Sequence, residues 1–137
     1  MSKTPVLSRA RFGAALVLAV SAAAGCSSST SLAPFQPQIS NAADNFQAQA
    51  TGVVNVTTTL TYNWSNSGTR ATINHSTVTT GGSTLLVLKD AAGATVYSRA
   101  LSPSLNEPTS VGQAGVWTVQ LTLTNYSGTL NFRAQKL

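Results

Sequence analysis

The clearest pattern in the chain is an alternation of apolar and polar residues that runs from Val54 to Trp64. The apolar positions fall on one face of an extended chain: Val54, Val56, Leu60, Tyr62 and Trp64. Thr58 shares this face, where its methyl group can be buried if its hydroxyl finds a partner. Threonine and asparagine occupy the other face. A period of two over this length predicts a β-strand with one buried face.

A second alternation lies near the end of the chain. Its apolar residues are Trp117, Val119, Leu121 and Leu123 in a first arm and Leu130, Phe132 and Ala134 in a second arm. Residues 125–128, Asn-Tyr-Ser-Gly, lie between the arms and are typical of a turn. The pattern therefore predicts a hairpin over residues 116–134.

Weaker strand patterns fill the middle of the chain, and turn residues such as Gly81-Gly82 separate them. These patterns cover residues 69–78, 84–89 and 95–101. Leu85 to Leu88 is apolar on both sides, so we expect either a central strand with both faces covered or a strand whose edge is protected. Pro103 and Pro108 interrupt any continuous strand between them, so we expect a loop there.

Together these elements predict an all-β fold, a single antiparallel β-sandwich of about six to eight strands. Roughly the last 55 residues of the chain resemble the jelly-roll modules attached to secreted bacterial proteases, of the P-domain and prepeptidase C-terminal type. The similarity lies in Asp90-x-x-Gly93, Gly115-x-Trp117 and Gly128-Thr129-Leu130. It implies a jelly-roll-like sandwich. The family's role beside a protease does not carry over, because this sequence has no protease domain.

The first 25 residues have the three parts of a bacterial export signal, with a basic start, an apolar stretch over residues 12–24 and small residues before Cys26. The basic residues are Lys3, Arg9 and Arg11. A transmembrane helix needs about 20 apolar residues, so this stretch is too short to remain in the membrane. The sequence Ala23-Ala24-Gly25-Cys26 resembles the processing site of bacterial lipoproteins, which implies cleavage after Gly25 and diacylglycerol on the Cys26 sulfur. The alternative is an ordinary secretory signal.

The lipoprotein resemblance predicts a lipid-anchored protein of the cell envelope. Ser27 follows the cysteine, which in this family implies the outer membrane if the cell has two membranes. We expect a signal peptide over residues 1–25, a lipidated cysteine with a flexible linker over residues 26–40, and a β-sandwich over residues 41–137. The linker, small and polar with two prolines, could hold the domain at most about 45 Å from the membrane.

Charge argues against a nucleic-acid partner. The whole chain has a formal charge of +5, but three basic residues belong to the predicted signal. The remaining five basic and three acidic residues give +2 and are scattered singly. Proteins that bind nucleic acid concentrate their cations on one face.

Catalytic and metal-binding chemistry have few candidate residues. The sequence has one histidine, His75, and three carboxylates, at Asp44, Asp90 and Glu107. Their spacing places no two of them at one substrate, and we expect His75 to be a half-buried, hydrogen-bonded structural residue. A metal site needs several ligands, so we expect no metal and no cofactor; calcium at Asp90 is a minor alternative. We therefore expect no enzyme activity.

Aromatic residues are the remaining candidates for function. Tyr62, Trp64 and Trp117 alternate with aliphatic residues, so we expect them in the core. Tyr97, which alternates with Arg99, and Tyr126, in the expected turn, are predicted to be exposed. The sequence thus predicts a non-enzymatic interaction or structural module at the envelope. One alternative is a glycan-binding module that uses surface tyrosines with Asn and Gln side chains, on a candidate surface that contains Tyr97, Tyr126 and Arg99. A further alternative is a hydrolase with His75 facing a pocket.

Overall fold

Seven β-strands and one short 3-10 helix form the part of the computed structural model that is described, residues 29–137. The strands are β1 (Gln38–Ala42), β2 (Asn45–Asn66), β3 (Ala71–His75), β4 (Val78–Lys89), β5 (Thr95–Arg99), β6 (Leu105–Pro108) and β7 (Gly115–Lys136), and the helix is Ala33–Phe35. The predicted signal peptide and the predicted lipidation site, Cys26, lie outside the described residues. The predicted all-β fold is confirmed.

The seven strands belong to one antiparallel sheet, and two long strands organise it. Strands β2 and β7 have 22 residues each and pair along their whole length. The sheet order is β1-β2-β7-β3-β6, and β4 pairs with both β7 and β5. The first half of β7 therefore contacts β4, while its second half contacts β3.

The sheet folds back on itself near the middle of β2. The rings of Phe46 and Tyr62, on the same strand, have centroids only 5.3 Å apart, whereas a straight strand would separate these residues by about 50 Å. The indole N–H of Trp64 also donates to the carbonyl of Ala42, at 3.1 Å. The two halves of the sheet thus face each other across the core. The more detailed expectation of a jelly-roll sandwich stays a prediction.

We call the region where the sheet folds the bend end: residues 51–57 of β2, 78–83 of β4 and 124–129 of β7. The register of β2 against β7 shifts three times between Ala50 and Thr58, which is how the ladder accommodates the bend. The turns predicted at residues 81–82 and 125–128 are wrong, since both segments lie inside strands and Gly81 pairs with Ser127. Gly82 permits this pairing, because a Cβ there would strike the carbonyls of Thr124 and Asn125.

The core lies between the two halves of the sheet and contains the aromatic side chains that the alternation assigned to it. Trp64 and Trp117 are fully buried, and their rings meet edge to face with centroids 5.8 Å apart. Tyr62 is half-buried and packs against the core. Val54 was expected on the same face but is 63% exposed, because the irregular register moves Val53 inward instead.

Strands β4 and β6 differ from the sequence expectations. Strand β4 is central, between β5 and β7, as expected. Only one of its faces is fully covered, since Leu86 and Leu88 are buried whereas Leu85 is 43% exposed. The loop expected between the prolines is wrong, because Leu105–Pro108 forms β6. This is an edge strand, where a proline is tolerated because its missing N–H faces away from the sheet.

The chain is tied to the sheet earlier than expected. Ser29 donates its N–H to the carbonyl of Asn55 and accepts from the N–H of Thr57, at 3.0 and 2.9 Å. Leu32 is only 2% exposed, and β1 begins at Gln38. The flexible linker predicted over residues 26–40 is therefore wrong from Ser29 onward. Leu32 is buried on the sheet, and Phe35 and Ile39 pack against the core.

Charged side chains are absent from the bend end among the described residues. The eight described charged residues are Asp44, Arg70, Lys89, Asp90, Arg99, Glu107, Arg133 and Lys136. Five of them lie at the two ends of β2, the end of β4 and the end of β7. We call these residues, 43–44, 66–70, 89–94 and 136–137, the charged end. The other three lie between the two ends.

Candidate binding surface

The structure does not bring the predicted binding residues together on a surface. Tyr126 is fully buried and Tyr97 is 6% exposed, so neither ring can stack on a ligand. Arg99 alone is exposed, and its Nε donates to Glu107 Oε1 at 3.2 Å. The glycan site that the sequence predicted from Tyr97, Tyr126 and Arg99 is therefore wrong.

Tyr126 is buried because it lies inside β7 at the bend and not in a turn. It pairs with Val56, and its hydroxyl donates to the carbonyl of Val78, at 3.1 Å. This bond links β7 to the beginning of β4. Burial raises the pKa of the Tyr126 hydroxyl, so this group stays protonated and keeps donating.

Tyr97 is buried because two edges of the folded sheet meet over it. Ser110, just after β6, donates its N–H to the carbonyl of Val96 in β5, at 2.9 Å. The Arg99–Glu107 ion pair bridges the same two edges. Burial raises the pKa of the Tyr97 hydroxyl, and the nearby Glu107 carboxylate raises it further.

His75 lies in the core and faces no solvent. Its side chain is 2% exposed, and neither ring nitrogen has a hydrogen-bond partner among the described residues. Burial lowers its pKa, while the backbone of Leu101 and the carboxylate of Glu107 partly oppose this shift. His75 is thus more deeply buried than the half-buried position expected, and the expected hydrogen bond is absent among the described residues. A neutral, enclosed imidazole cannot exchange protons with a substrate in this structure.

The aspartates organise turns at the charged end. Asp90 accepts from the N–H groups of Gln113, Ala94 and Ala92, and these bonds, the one from Gln113 foremost, lower its pKa. Asp44 accepts from the N–H and hydroxyl of Ser67 and pairs with Lys136, which lowers its pKa also. The described residues contain no group of three His, Cys, Asp or Glu side chains placed to hold a metal.

The most distinctive surface is the outer side of β1, β2, β7, β3 and β6, which we call the amide face. Eight of its side chains carry a carboxamide: Gln38, Asn45, Gln47, Gln49, Asn74, Asn106, Asn131 and Gln135. Their neighbours along each strand point into the core, as in β2, where Phe46, Ala48 and Ala50 are buried. Arg133 is the one charged residue at the centre of this face.

Cross-strand register places the amide groups in rows. Gln47 is paired with Arg133, Arg133 with Asn74, and Asn74 with Asn106. Neighbouring strands are about 4.8 Å apart, so this row of four side chains spans about 14 Å. An open groove of about 450 Å³ crosses one part of the face and is lined by Asp44, Thr72, Asn74, Asn106, Arg133, Gln135 and Lys136. The groove offers both donors and acceptors to a polar ligand.

Sequence reasoning missed this surface, although a signal was present. Residues 45–50, Asn-Phe-Gln-Ala-Gln-Ala, alternate amide and apolar side chains, which predicts a strand with an amide-bearing outer face. The alternation at Leu130, Phe132 and Ala134 was recognised, but the outward residues between them were not. Only the sheet register shows that these two segments are neighbours.

Comparisons of the chain with protein-family models, with curated proteins and with solved structures give no match. Within residues 29–137, no helix has the length and apolar character that crossing a membrane requires.

Proposed function

We propose that the protein is a bacterial lipoprotein, held at the cell envelope through lipid on Cys26, whose β domain is a non-enzymatic interaction or structural module. In a cell with two membranes, the outer membrane is its proposed location. The amide face is its proposed contact surface. The single observation that supports this role is the row from Gln47 through Arg133 and Asn74 to Asn106, which no other element of residues 29–137 covers.

The chemistry of the amide face favours recognition of a polar partner. A carboxamide both donates and accepts hydrogen bonds, and a guanidinium adds a planar cluster of donors. These side chains stand on paired strands, which hold them in a regular spacing and reduce the ordering needed on binding. The face lacks an apolar centre, so we expect a polar and hydrated contact of modest affinity.

The placement of the ionisable groups supports a role without catalysis. His75 is enclosed in the core, and Glu107 is paired with Arg99 at the sheet edge. Asp44 and Asp90 have their oxygens engaged by turn N–H groups. The hydrolase alternative needs His75 to face a pocket beside a carboxylate, and its burial argues against this.

Two matched double variants test the contact surface. Asn74 and Arg133 are cross-strand partners on the amide face, while Thr61 and Gln120 are cross-strand partners on the outer side of the other half of the sheet. Full-length protein is expressed in a bacterial host, its intact mass and membrane fractionation are measured, and partners are recovered from a detergent extract.

We expect a mature mass that begins at Cys26 and includes lipid, and a retained envelope protein. The N74A/R133A variant is expected to lose that protein, whereas T61A/Q120A is expected to keep it. Equal retention by both variants would contradict the amide face as the contact surface. An unmodified Cys26 and release into the medium would contradict the anchor.

A glycan ligand is the second candidate, and the groove beside Arg133 favours it. Sugar hydroxyls pair with carboxamides in both directions, and Asn74, Asn106 and Gln135 line this groove together. Stacking on tyrosine, which the sequence suggested, is unavailable because Tyr97 and Tyr126 are buried.

NMR titration with soluble cell-wall fragments tests this second candidate. We expect shifts of the side-chain amide signals of Asn74, Asn106 and Gln135, with no shift of the buried tyrosine ring protons. The shifts should vanish in N74A/R133A and persist in T61A/Q120A. A spectrum unchanged at the highest fragment concentration would leave the protein partner as the better account.

A further inference from the structure

We propose that the bend end lies against the lipid bilayer, with the charged end directed away from it. This inference rests on the proposed lipid on Cys26. It concerns how the domain is oriented, which the anchor alone does not determine.

The first argument is the short distance between the anchor and the sheet. Cys26 is three residues before Ser29 in the sequence, so their Cα atoms can be at most about 11 Å apart. Ser29 is hydrogen-bonded on both sides to β2, to Asn55 and Thr57. Leu32, buried on the sheet, holds the following residues in place. A lipid on Cys26 therefore cannot move far from residues 55–57.

The second argument is where those residues lie in the fold. Asn55 and Thr57 belong to the bend end, at the point where β2 changes register against β7. Half of a 22-residue strand measures about 35 Å, so the charged end lies roughly that far from the attachment point. With the lipid in the bilayer, the bend end is the part of the domain that must be nearest to it.

The third argument is the surface chemistry of the bend end. Val54 and Val78 are 63% and 57% exposed there, and each is next in sequence to a residue that pairs with Gly128 of β7, Val53 in β2 and Thr79 in β4. The surrounding residues are glycine, serine, threonine and asparagine, with no charged side chain on these segments. Such a surface can approach the interface without desolvating an ion.

Exposed apolar residues alone do not identify this surface. Val111, Val116 and Leu137 are also exposed, and they lie near the charged end. The position of the anchor decides between the two ends. The absence of cations on the bend end further indicates that its contact does not depend on attraction to anionic lipids, so it should be insensitive to salt.

Depth-dependent fluorescence quenching tests the orientation in the full-length, natively processed protein. Because the Cys26 thiol would be consumed by lipid, a single introduced cysteine can be labelled selectively. The test variants are V54C and V78C, and V111C, 71% exposed near the charged end, is the matched control. Each protein carries an environment-sensitive fluorophore in vesicles of phosphatidylethanolamine and phosphatidylglycerol that contain spin-labelled lipid.

We expect quenching at residues 54 and 78 to exceed that at residue 111 several-fold, and to stay unchanged in high salt. Equal quenching at all three positions, or stronger quenching at residue 111, would overturn the proposed orientation. Intact mass of the same samples separates the two proposals. Lipid on Cys26 with the wrong quenching pattern defeats only the orientation, whereas an unmodified Cys26 defeats the anchor and the orientation together.

Discussion

The charged end and the bend end are stabilised by different kinds of contact. At the charged end, carboxylates stabilise the turns. Asp44 accepts a hydrogen bond from Ser67 and forms an ion pair with Lys136, and Asp90 accepts hydrogen bonds from three backbone N–H groups. At the bend end, the bonds are neutral, such as that from the N–H of Asn55 to the hydroxyl of Ser127 at 2.9 Å. The stability of the charged end should therefore fall in acid. The stability of the bend end should depend mainly on substitutions that change backbone geometry.

The largest expected effect is in the core next to the charged end, where Trp64 is packed against Trp117. Trp64→Ala removes a fully buried indole and its bond to Ala42, so we expect a loss of about 3 to 5 kcal/mol in the free energy of unfolding. Urea denaturation measures this loss. Trp64→Phe, which keeps a ring, should lose clearly less; equal losses would contradict the importance of the ring contact.

A comparable effect is expected at the bend end from a single methyl group. Gly128 has φ +142, and a Cβ there would strike the carbonyl of Val78, so Gly128→Ala combines backbone strain with overpacking. We expect a loss of about 2 to 4 kcal/mol in urea denaturation.

Gly93 is the matched control for this substitution. It also has positive φ, +83, but no atom lies within 4 Å of its Cβ position, so Gly93→Ala should cost only about 1 to 2 kcal/mol. If the two variants were equally destabilised, close approach of β4 and β7 would not be what requires glycine at position 128.

His75, which lies between the two ends, predicts that the stability of the protein depends on pH. His75 has a folded-state pKa below its ordinary value of 6.5, so the unfolded chain binds the proton more readily. Stability should therefore decline as the pH falls below 6.5 and level off beneath the lowered pKa. His75→Leu should abolish this decline, which urea midpoints at a series of pH values would reveal. A decline that persisted in the variant would have to come from another group.

Acid should weaken the charged end at still lower pH. The pKa of Asp44 is below its ordinary value of 3.8, so its stabilising contribution is present above that value and lost as the pH falls through the lowered pKa. Asp44→Asn should make this acid-induced fall shallower, while leaving part of it, because Asp90 behaves in the same way. An identical pH profile in the variant would show that the Ser67 and Lys136 contacts contribute nothing.

The smallest effect is expected between the two ends, at the Arg99–Glu107 pair. The arginine side chain is 60% exposed, and exposed ion pairs contribute about 0 to 1 kcal/mol. Arg99→Ala should therefore shift the urea midpoint only slightly. A loss as large as that of Trp64→Ala would show that this ion pair, and not burial of Tyr97, joins β5 to β6.

The comparison of the two ends also shows why some sequence predictions were correct and others were wrong. Trp64 and Trp117 were correctly assigned to the core, because alternation with aliphatic residues is a local property of a strand. Tyr126 was wrongly placed in a turn, since Asn125, Ser127 and Gly128 are turn-forming residues wherever they occur in a sequence. In this fold they form irregular positions within β7, opposite other irregular positions in β2 and β4.

The candidate surface was less predictable than the core. The alternation at Leu130, Phe132 and Ala134 implies that the residues between them point outward, but nothing in the sequence indicates that β3 lies beside β7. The row through Arg133 and Asn74 joins residues that are far apart in the chain. The burial of Tyr97 was also not predictable from the sequence, because it depends on β6 contacting β5 from the other half of the sheet.

The sequence by itself determined the all-β class and the inward direction of Trp64, Trp117 and Phe132. These follow from period-two alternation, which depends only on neighbouring residues. The tertiary structure alone decided that β2 and β7 are continuous, that they bend together, and that the amide groups form rows. Those properties arise from pairing between distant strands, where register and close approach, as at Gly82 and Gly128, select one arrangement.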